Sequence, residues 1–229
     1  MSSKNKVLKQ LNLLSLSTSE LLKLLLFVLF FHTSYQLQAV NVDQWLTDHI
    51  QVDDGLPDST VYSIAQDHTG FMWFGTTHGL ARYDGYEFRN FQHDGINPNS
   101  VTNNNTGNIF VDSKNRLWIG TFGGGLNVLE ITSGVLTRFP YSSNPSENVI
   151  SENVQTFYED ADGVIWIGTS TGLYRSDGAN MSRHAIGSAE SSSDQSRIWD
   201  IESDDSGLLW LGTSDGLVQL NPSNNQFKQ

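Results

Sequence analysis

The 229-residue sequence contains no cysteine, which excludes a disulfide framework and any thiolate metal site. That absence is compatible with an oxidising compartment without identifying one. Positive charge is scarce: 13 lysines and arginines face 25 acidic residues, a net charge of −12. Lys4, Lys6, Lys9 and Lys23 lie in the first 39 residues against Glu20 alone, so the remainder carries about −15. Such a surface repels phosphate backbones, which argues against nucleic acid as a partner. Long apolar runs are missing too. The one candidate, LLKLLLFVLFF at 21–31, is about half of the ~20 residues that a membrane-spanning helix needs. Helical periodicity is absent after residue 40. Hydrophobic content of 38% with 11% aromatics is enough for a packed core.

The N-terminus reads as a secretory signal over residues 1–39. Three lysines precede the apolar run, and HTSYQLQA comes after it, with cleavage expected after Ala39. An exported, periplasmic domain of residues 40–229 would remain. Lys23 inside the run, Leu37 three residues before the cut and the long basic region depart from the pattern. They leave an uncleaved anchor in the inner membrane as the alternative, the one case in which the chain would touch a membrane.

The rest of the chain is repetitive. The strings DHTGFMWFGTTHGL, DSKNRLWIGTFGGGL, DADGVIWIGTSTGL and DDSGLLWLGTSDGL begin at Asp67, Asp112, Asp160 and Asp204, which are 45, 48 and 44 residues apart. Trp73, Trp118, Trp166 and Trp210 keep those spacings, as do Gly75, Gly120, Gly168 and Gly212. Nine residues before each Trp stands Ile64, Ile109, Phe157 or Ile201. In the first unit, STVYSIAQ, FMWFGT, LARYD and YEFRNF read as strands separated by turn-formers. A unit of about 45 residues with four antiparallel strands is a propeller blade. The expected fold is all-β: a propeller-type array of four four-stranded antiparallel blades, partial or small, at about 57–94, 100–141, 150–186 and 195–229.

The shared residues have structural readings. In D-x-x-G the carboxylate accepts N–H groups within the turn and the Gly takes a positive φ, with Asn115 as its substitute in the second copy. Each Trp is expected to fill the space toward the adjacent blade, a burial worth roughly 1.5–3 kcal/mol. Each following Gly lets the neighbouring backbone approach. None of these residues is expected to be catalytic.

The pattern D-x-x-G-x-[apolar]-W-[apolar]-G-T-x-x-G-L, with DGLPDSTVYSIAQD before it and RYDGYEFRNF after it, resembles the two-component regulator propeller repeats. The linkers QHDGINPNSV and SSNPSENVIS resemble that family's as well. The resemblance covers about residues 48–229 and implies the periplasmic sensor half of a hybrid histidine kinase or diguanylate cyclase, which senses extracytoplasmic ligands, often carbohydrates. Four repeats are fewer than the family's usual number, and the chain ends at NNQFKQ within a predicted strand. A truncated sensor without its output domain is therefore expected. Alternatively, four blades close alone, with TDHIQV (47–52) as an outer strand of the last blade.

Recognition should be written in residues that differ between copies. Eleven before each Trp are Tyr62, Gly107, Gln155 and Trp199; thirteen before are Thr60, Asn105, Asn153 and Arg197. Amides and Arg bond hydroxyls, and aromatic rings offer flat apolar faces. Thr60, Tyr62, Asn105, Asn153, Gln155, Arg197 and Trp199 are thus the candidate ligand set, suited to a carbohydrate or another small polar molecule. The alternative is that they only line a wet channel. His68 and His78 read as surface turn residues, with no second His at metal spacing. DADG at 160–163 lacks the remaining ligands of a calcium loop. GTFGGGL has no Lys and opens no helix, so it is no phosphate cradle. No metal, cofactor or catalytic residue is expected. The competing readings are an interaction scaffold, which self-associates or takes further blades, and, more remotely, a carbohydrate-active enzyme. The latter needs paired carboxylates outside the repeat register.

Overall fold

A computed structural model of the chain describes residues 48–139, 153–177, 180–186 and 196–228, with Ser19 and Lys23. Apart from Ser19 and Lys23, the segment expected to be a signal, its expected cleavage site and most of the loop 187–196 lie outside the described residues. The chain divides into two compact units, Met1–His49 and Ile50–Gln229, and every blade belongs to the second. No helix among the described residues is long and apolar enough to cross a membrane.

Among the described residues, sixteen strands form four separate antiparallel sheets, each in simple sequential order. Blade 1 comprises β1 (Val61–Gln66), β2 (Met72–Thr76), β3 (Gly79–Tyr83) and β4 (Phe88–Phe91). Blade 2 comprises β5 (Thr106–Val111), β6 (Arg116–Thr121), β7 (Gly125–Glu130) and β8 (Val135–Phe139). Blade 3 holds β9 (Val154–Glu159), β10 (Ile165–Thr169), β11 (Gly172–Ser176) and β12 (Met181–His184). Blade 4 holds β13 (Ile198–Ser203), β14 (Leu209–Thr213), β15 (Gly216–Asn221) and β16 (Gln226–Lys228). The first strand of each blade packs against the first strand of the next.

The repeated string explains each hairpin. The leading Asp uses one oxygen, Oδ1, to accept the N–H groups two and four residues on, at 2.8–3.1 Å in all four copies. Gly70, Gly163 and Gly207 turn the corner at positive φ, and Asn115 does so at φ 58°. The second oxygen, Oδ2, accepts the indole N–H of the Trp six residues on, at 2.8, 2.8, 2.7 and 2.9 Å from Asp67 to Asp204. A buried indole must bond its N–H somewhere, and here its own hairpin supplies the acceptor. The Thr of G-T closes the other turn: Thr76, Thr121, Thr169 and Thr213 donate to the carbonyls of Gly79, Gly125, Gly172 and Gly216 at 2.7–2.9 Å.

Three hydrophobic clusters hold the blades together, and all obey one rule: the Trp of a blade packs on the first two strands of the next. Trp73 joins Ile109, Leu117 and Ile119; Trp118 joins Val154, Ile165 and Ile167; Trp166 joins Ile198, Leu209 and Leu211. Polar bonds repeat at these junctions, as where Ser63 Oγ donates to the Gly107 carbonyl at 2.6 Å and accepts the Ile109 N–H at 3.1 Å.

Two expectations need correction. Trp73, Trp118 and Trp166 are each 1% exposed, as inter-sheet packing requires, but Trp210 is 36% exposed. The reason is that no junction joins blade 4 to blade 1 among the described residues, so Trp210 has no following sheet. Nor do the described residues of the 47–52 segment, 48–52, form an outer strand. Residues 48–51 are not extended into a ladder, and Val52–Asp54 is a single 3-10 turn. The Gln51 N–H donates to Asp54 Oδ2 at 2.8 Å and Gly55 ends the turn at φ 106°. A segment curled on its own side chains offers no row of N–H groups to a sheet edge.

Candidate functional site

The inner strands β1, β5, β9 and β13 share one irregularity. The ladder to the second strand slips between Val61 and Ser63, between Thr106 and Ile109, between Val154 and Thr156, and between Ile198 and Asp200. A bulge leaves an extra residue out of the ladder and re-aims its side chain. The residues so displaced are Tyr62, Gly107 (with Asn108), Gln155 and Trp199, the variable positions eleven before each Trp. The frame repeats while the chemistry presented at the bulge does not.

The positions two residues earlier are anchored in blades 2 to 4 through their main-chain carbonyls. The carbonyls of Asn105, Asn153 and Arg197 accept the N–H groups of Phe122, Ser170 and Ser214 at 2.9, 3.0 and 2.9 Å. These donors sit in the Thr-x-x-Gly turns, so strand start and turn share one end of each blade. In blade 1 the Thr60 N–H instead donates to Asp58 Oδ1 at 2.7 Å. Because the anchor uses main-chain atoms, the side chains at these positions can differ.

The contacts divide the seven candidates into groups. Tyr62 lies against Phe122, ring centroids 5.4 Å apart. Phe122 bridges to Asn153, whose Oδ1 accepts the Gly123 N–H at 3.2 Å. Asn105 sits in the same group, and its buried Oδ1 has no partner among the described residues. Gln155 contributes its carbonyl to the Asn108 amide across the junction of blades 2 and 3. Arg197 and Trp199 form a separate pair on blade 4, the guanidinium 4.8 Å from the ring centroid. Thr60 is exposed beside Asp58 and His78. None of the seven lines the 280 Å³ cleft between blades 1 and 2 or the 440 Å³ one beside Asp160 and Asp204.

Phe122 is a member of this rim that sequence reasoning missed. It stands in the widened GTFGGGL turn, whose extra glycine marked the copy as different without showing where the ring points. Gly107 explains itself only beside it: a Cβ there would meet the Phe122 ring at 2.9 Å. His78, expected as a plain turn residue, is exposed but places Nδ1 2.5 Å from Asp58 Oδ2.

Two carboxylates are held to about 2 from an ordinary 3.8. For Asp58 the causes are the Thr60 N–H, then the Thr77 hydroxyl; for Asp204 they are the Ser206 hydroxyl, then the Trp210 indole. In Asp67 burial pushes upward, but the bonds from Thr69 and Trp73 outweigh it and the shift is downward. A group whose pKa is depressed on folding stabilises the fold above its unfolded value, and that stability is lost as pH falls through the folded value. The urea midpoint should therefore drop between about pH 4 and pH 2, and Asp204→Asn should flatten that slope. An unchanged slope in the variant would refute the assignment. In Asp160, Oδ1 is occupied by the turn and Oδ2 by Trp166, so the DADG carboxylate serves the hairpin.

A four-bladed array of this kind is β-propeller-type by its fold, and comparison with known proteins is more specific. Residues 55–78, 100–123 and 148–171 match the two component regulator propeller family, three of the four units in one register. Those three units carry the repeat that the family's model describes. The chain is 32% identical over 108 residues to a histidine kinase, P4, of Formosa agariphila, an alignment covering 44% of this chain and 8% of the kinase. Two solved structures from B. thetaiotaomicron share the fold. One, described as the extracellular domain of the hybrid two component system BT3049, has TM-score 0.61 at 21% identity over 79% of this chain. The other, the extracellular domain of the one component system BT4673, has TM-score 0.63 at 21% identity over 80%. This chain spans 31% and 27% of those chains.

Proposed function

We propose that the chain is a periplasmic, non-enzymatic input module of a two-component or cyclic-di-GMP type signalling protein. On this reading it takes a carbohydrate or other small polar ligand at the bulged rim. The observation that carries the reading is the bulge recurring in every inner strand at the residue that varies most in chemistry. A repeat that served packing alone would have no use for Tyr62, Gly107, Gln155 and Trp199 at one position. Tyr62 and Phe122 offer a tilted aromatic wall, Trp199 under Arg197 offers another, and Asn105 Oδ1 has no donor among the described residues. Flat rings against sugar faces and amides against hydroxyls are the usual division of labour for such ligands. The histidine kinase relative and the extracellular sensor neighbours support an input role outside the cytoplasm.

The test is thermal unfolding against a panel of oligosaccharides. A ligand at 100 times its Kd adds about 2.7 kcal/mol, a shift of several degrees. Tyr62→Ala and Trp199→Ala should each leave the fold intact and abolish the shift. If no sugar stabilises the wild type, or if both variants respond as it does, the rim is not the site.

A further inference from the structure

Positive charge is scarce in the blades, yet blade 1 places two arginines where they repel each other. Arg82 of β3 and Arg89 of β4 are direct cross-strand partners, and like charges so placed oppose strand pairing. The repeat does not require them. The same two places hold Val128 and Thr137 in blade 2, Arg175 and Ser182 in blade 3, and Gln219 and Lys228 in blade 4. Both arginines share the face of Trp73, which turns to blade 2. Each guanidinium lies on a phenylalanine ring, Arg82 4.3 Å from the Phe71 centroid and Arg89 5.2 Å from that of Phe91. Stacking uses the flat face of the group and leaves its in-plane N–H donors unused. Among the described residues no hydrogen bond or ion pair takes those donors. The two forks line a groove of 460 Å³ with Asp84, Glu87, Phe88 and Asn90. Asp84 is engaged elsewhere: its Oδ1 accepts the Tyr86 and Glu87 N–H groups at 2.8 and 2.9 Å. The Glu87 N–H, then the Tyr86 N–H, hold its carboxyl below the usual range, and the Arg82 charge adds to them.

We infer that this groove is an anion site in which Arg82 and Arg89 together hold the carboxylate of a small molecule. A guanidinium edge offers paired donors that match the two oxygens of a carboxylate. Two such edges side by side, each already oriented by its ring, need little ordering to receive one. The bound anion also offsets the repulsion of the bare pair, a use that packing does not supply. Asp84 and Glu87 set the charge that the groove admits. Beside two carboxylates, two guanidiniums hold a single negative charge better than the more highly charged phosphate. The site is separate from the bulged rim, since none of the seven rim candidates lines it.

Titration of the full chain with sodium acetate, sodium glucuronate and sodium phosphate at constant ionic strength tests this, with sodium chloride as the blank. The readout is the set of arginine Nε–H resonances of isotope-labelled protein. Acetate and glucuronate should shift the Arg82 and Arg89 signals saturably at millimolar concentrations, the range open to so small a ligand. Phosphate should bind more weakly. Arg82→Gln and Arg89→Gln should each raise the Kd for acetate at least about tenfold. Arg89→Lys keeps the charge but loses the fork, so it should bind more weakly than the wild type as well. The backbone amide resonances of each variant show that it is folded. Glucuronate binding tighter than acetate would assign the carboxylate to a sugar acid, and equal binding would assign it to carboxylates at large; both support the site. A wild type without a saturable shift overturns the inference. So does a shift that chloride reproduces, phosphate that binds as tightly as acetate, or folded glutamine variants with the affinity of the wild type.

Discussion

Trp118→Ala should destabilise the array by about 3–5 kcal/mol, the usual cost of truncating a buried large aromatic. The same substitution at Trp210 should cost only about 1 kcal/mol. Both residues occupy the same place in the same string and both bond the same Asp, at 2.8 and 2.9 Å. Local sequence therefore predicts equal effects, and only the neighbouring sheet separates them. At Trp118 the loss compounds. The indole leaves a void against Val154, Ile165 and Ile167, and Asp112, buried with Arg116 at 2.6 Å, loses a donor. A buried charged acceptor deprived of a partner carries its own penalty of roughly 1–3 kcal/mol. Urea unfolding of the two variants beside the wild type decides the matter. Equal losses would mean that the indole acts within its own blade and that the inter-blade account is wrong.

Gly75→Ala and Gly212→Ala should move stability in opposite directions. A Cβ at Gly75 would stand 2.4 Å from the Gly107 carbonyl oxygen, a backbone atom that cannot step aside without opening the junction. Forced overpacking of this kind costs about 1–3 kcal/mol. At Gly212 the nearest atoms lie 4.0 Å away, and replacing a strand-interior Gly by Ala gains about 0.5–1 kcal/mol. Thermal unfolding of the two variants should show Gly75→Ala melting below the wild type and Gly212→Ala above it. Two glycines of one motif that responded alike would contradict the open end of blade 4.

The strands and turns were legible in the sequence because their causes are local. An Asp, a positive-φ residue three places on and a Trp after six specify a hairpin within a dozen residues, and the structure forms it four times. The identity of the bulged positions was half legible. Their variability at Tyr62, Gly107, Gln155 and Trp199 marked them as different, but the slip in register that turns them outward leaves no trace in composition. The indole-to-carboxylate bond was hidden for another reason. The constant six-residue spacing was visible, yet it was explained already by turn and core, and nothing in the string shows that Oδ2 is left over once Oδ1 has bonded the turn. Phe122 was not legible because one inserted glycine changes where a turn residue lands.

The repeating frame was thus determined by the sequence alone: four sheets, their turns, and the residue types that pack them. Hydrogen bonds inside a hairpin and a side-chain period of two depend only on near neighbours along the chain, so every copy of the string obeys them. Burial between sheets was decided by tertiary structure, because it belongs to pairs of blades some 45 residues apart. That is why Trp166 is enclosed while Trp210, spelled almost identically, stands at an open face.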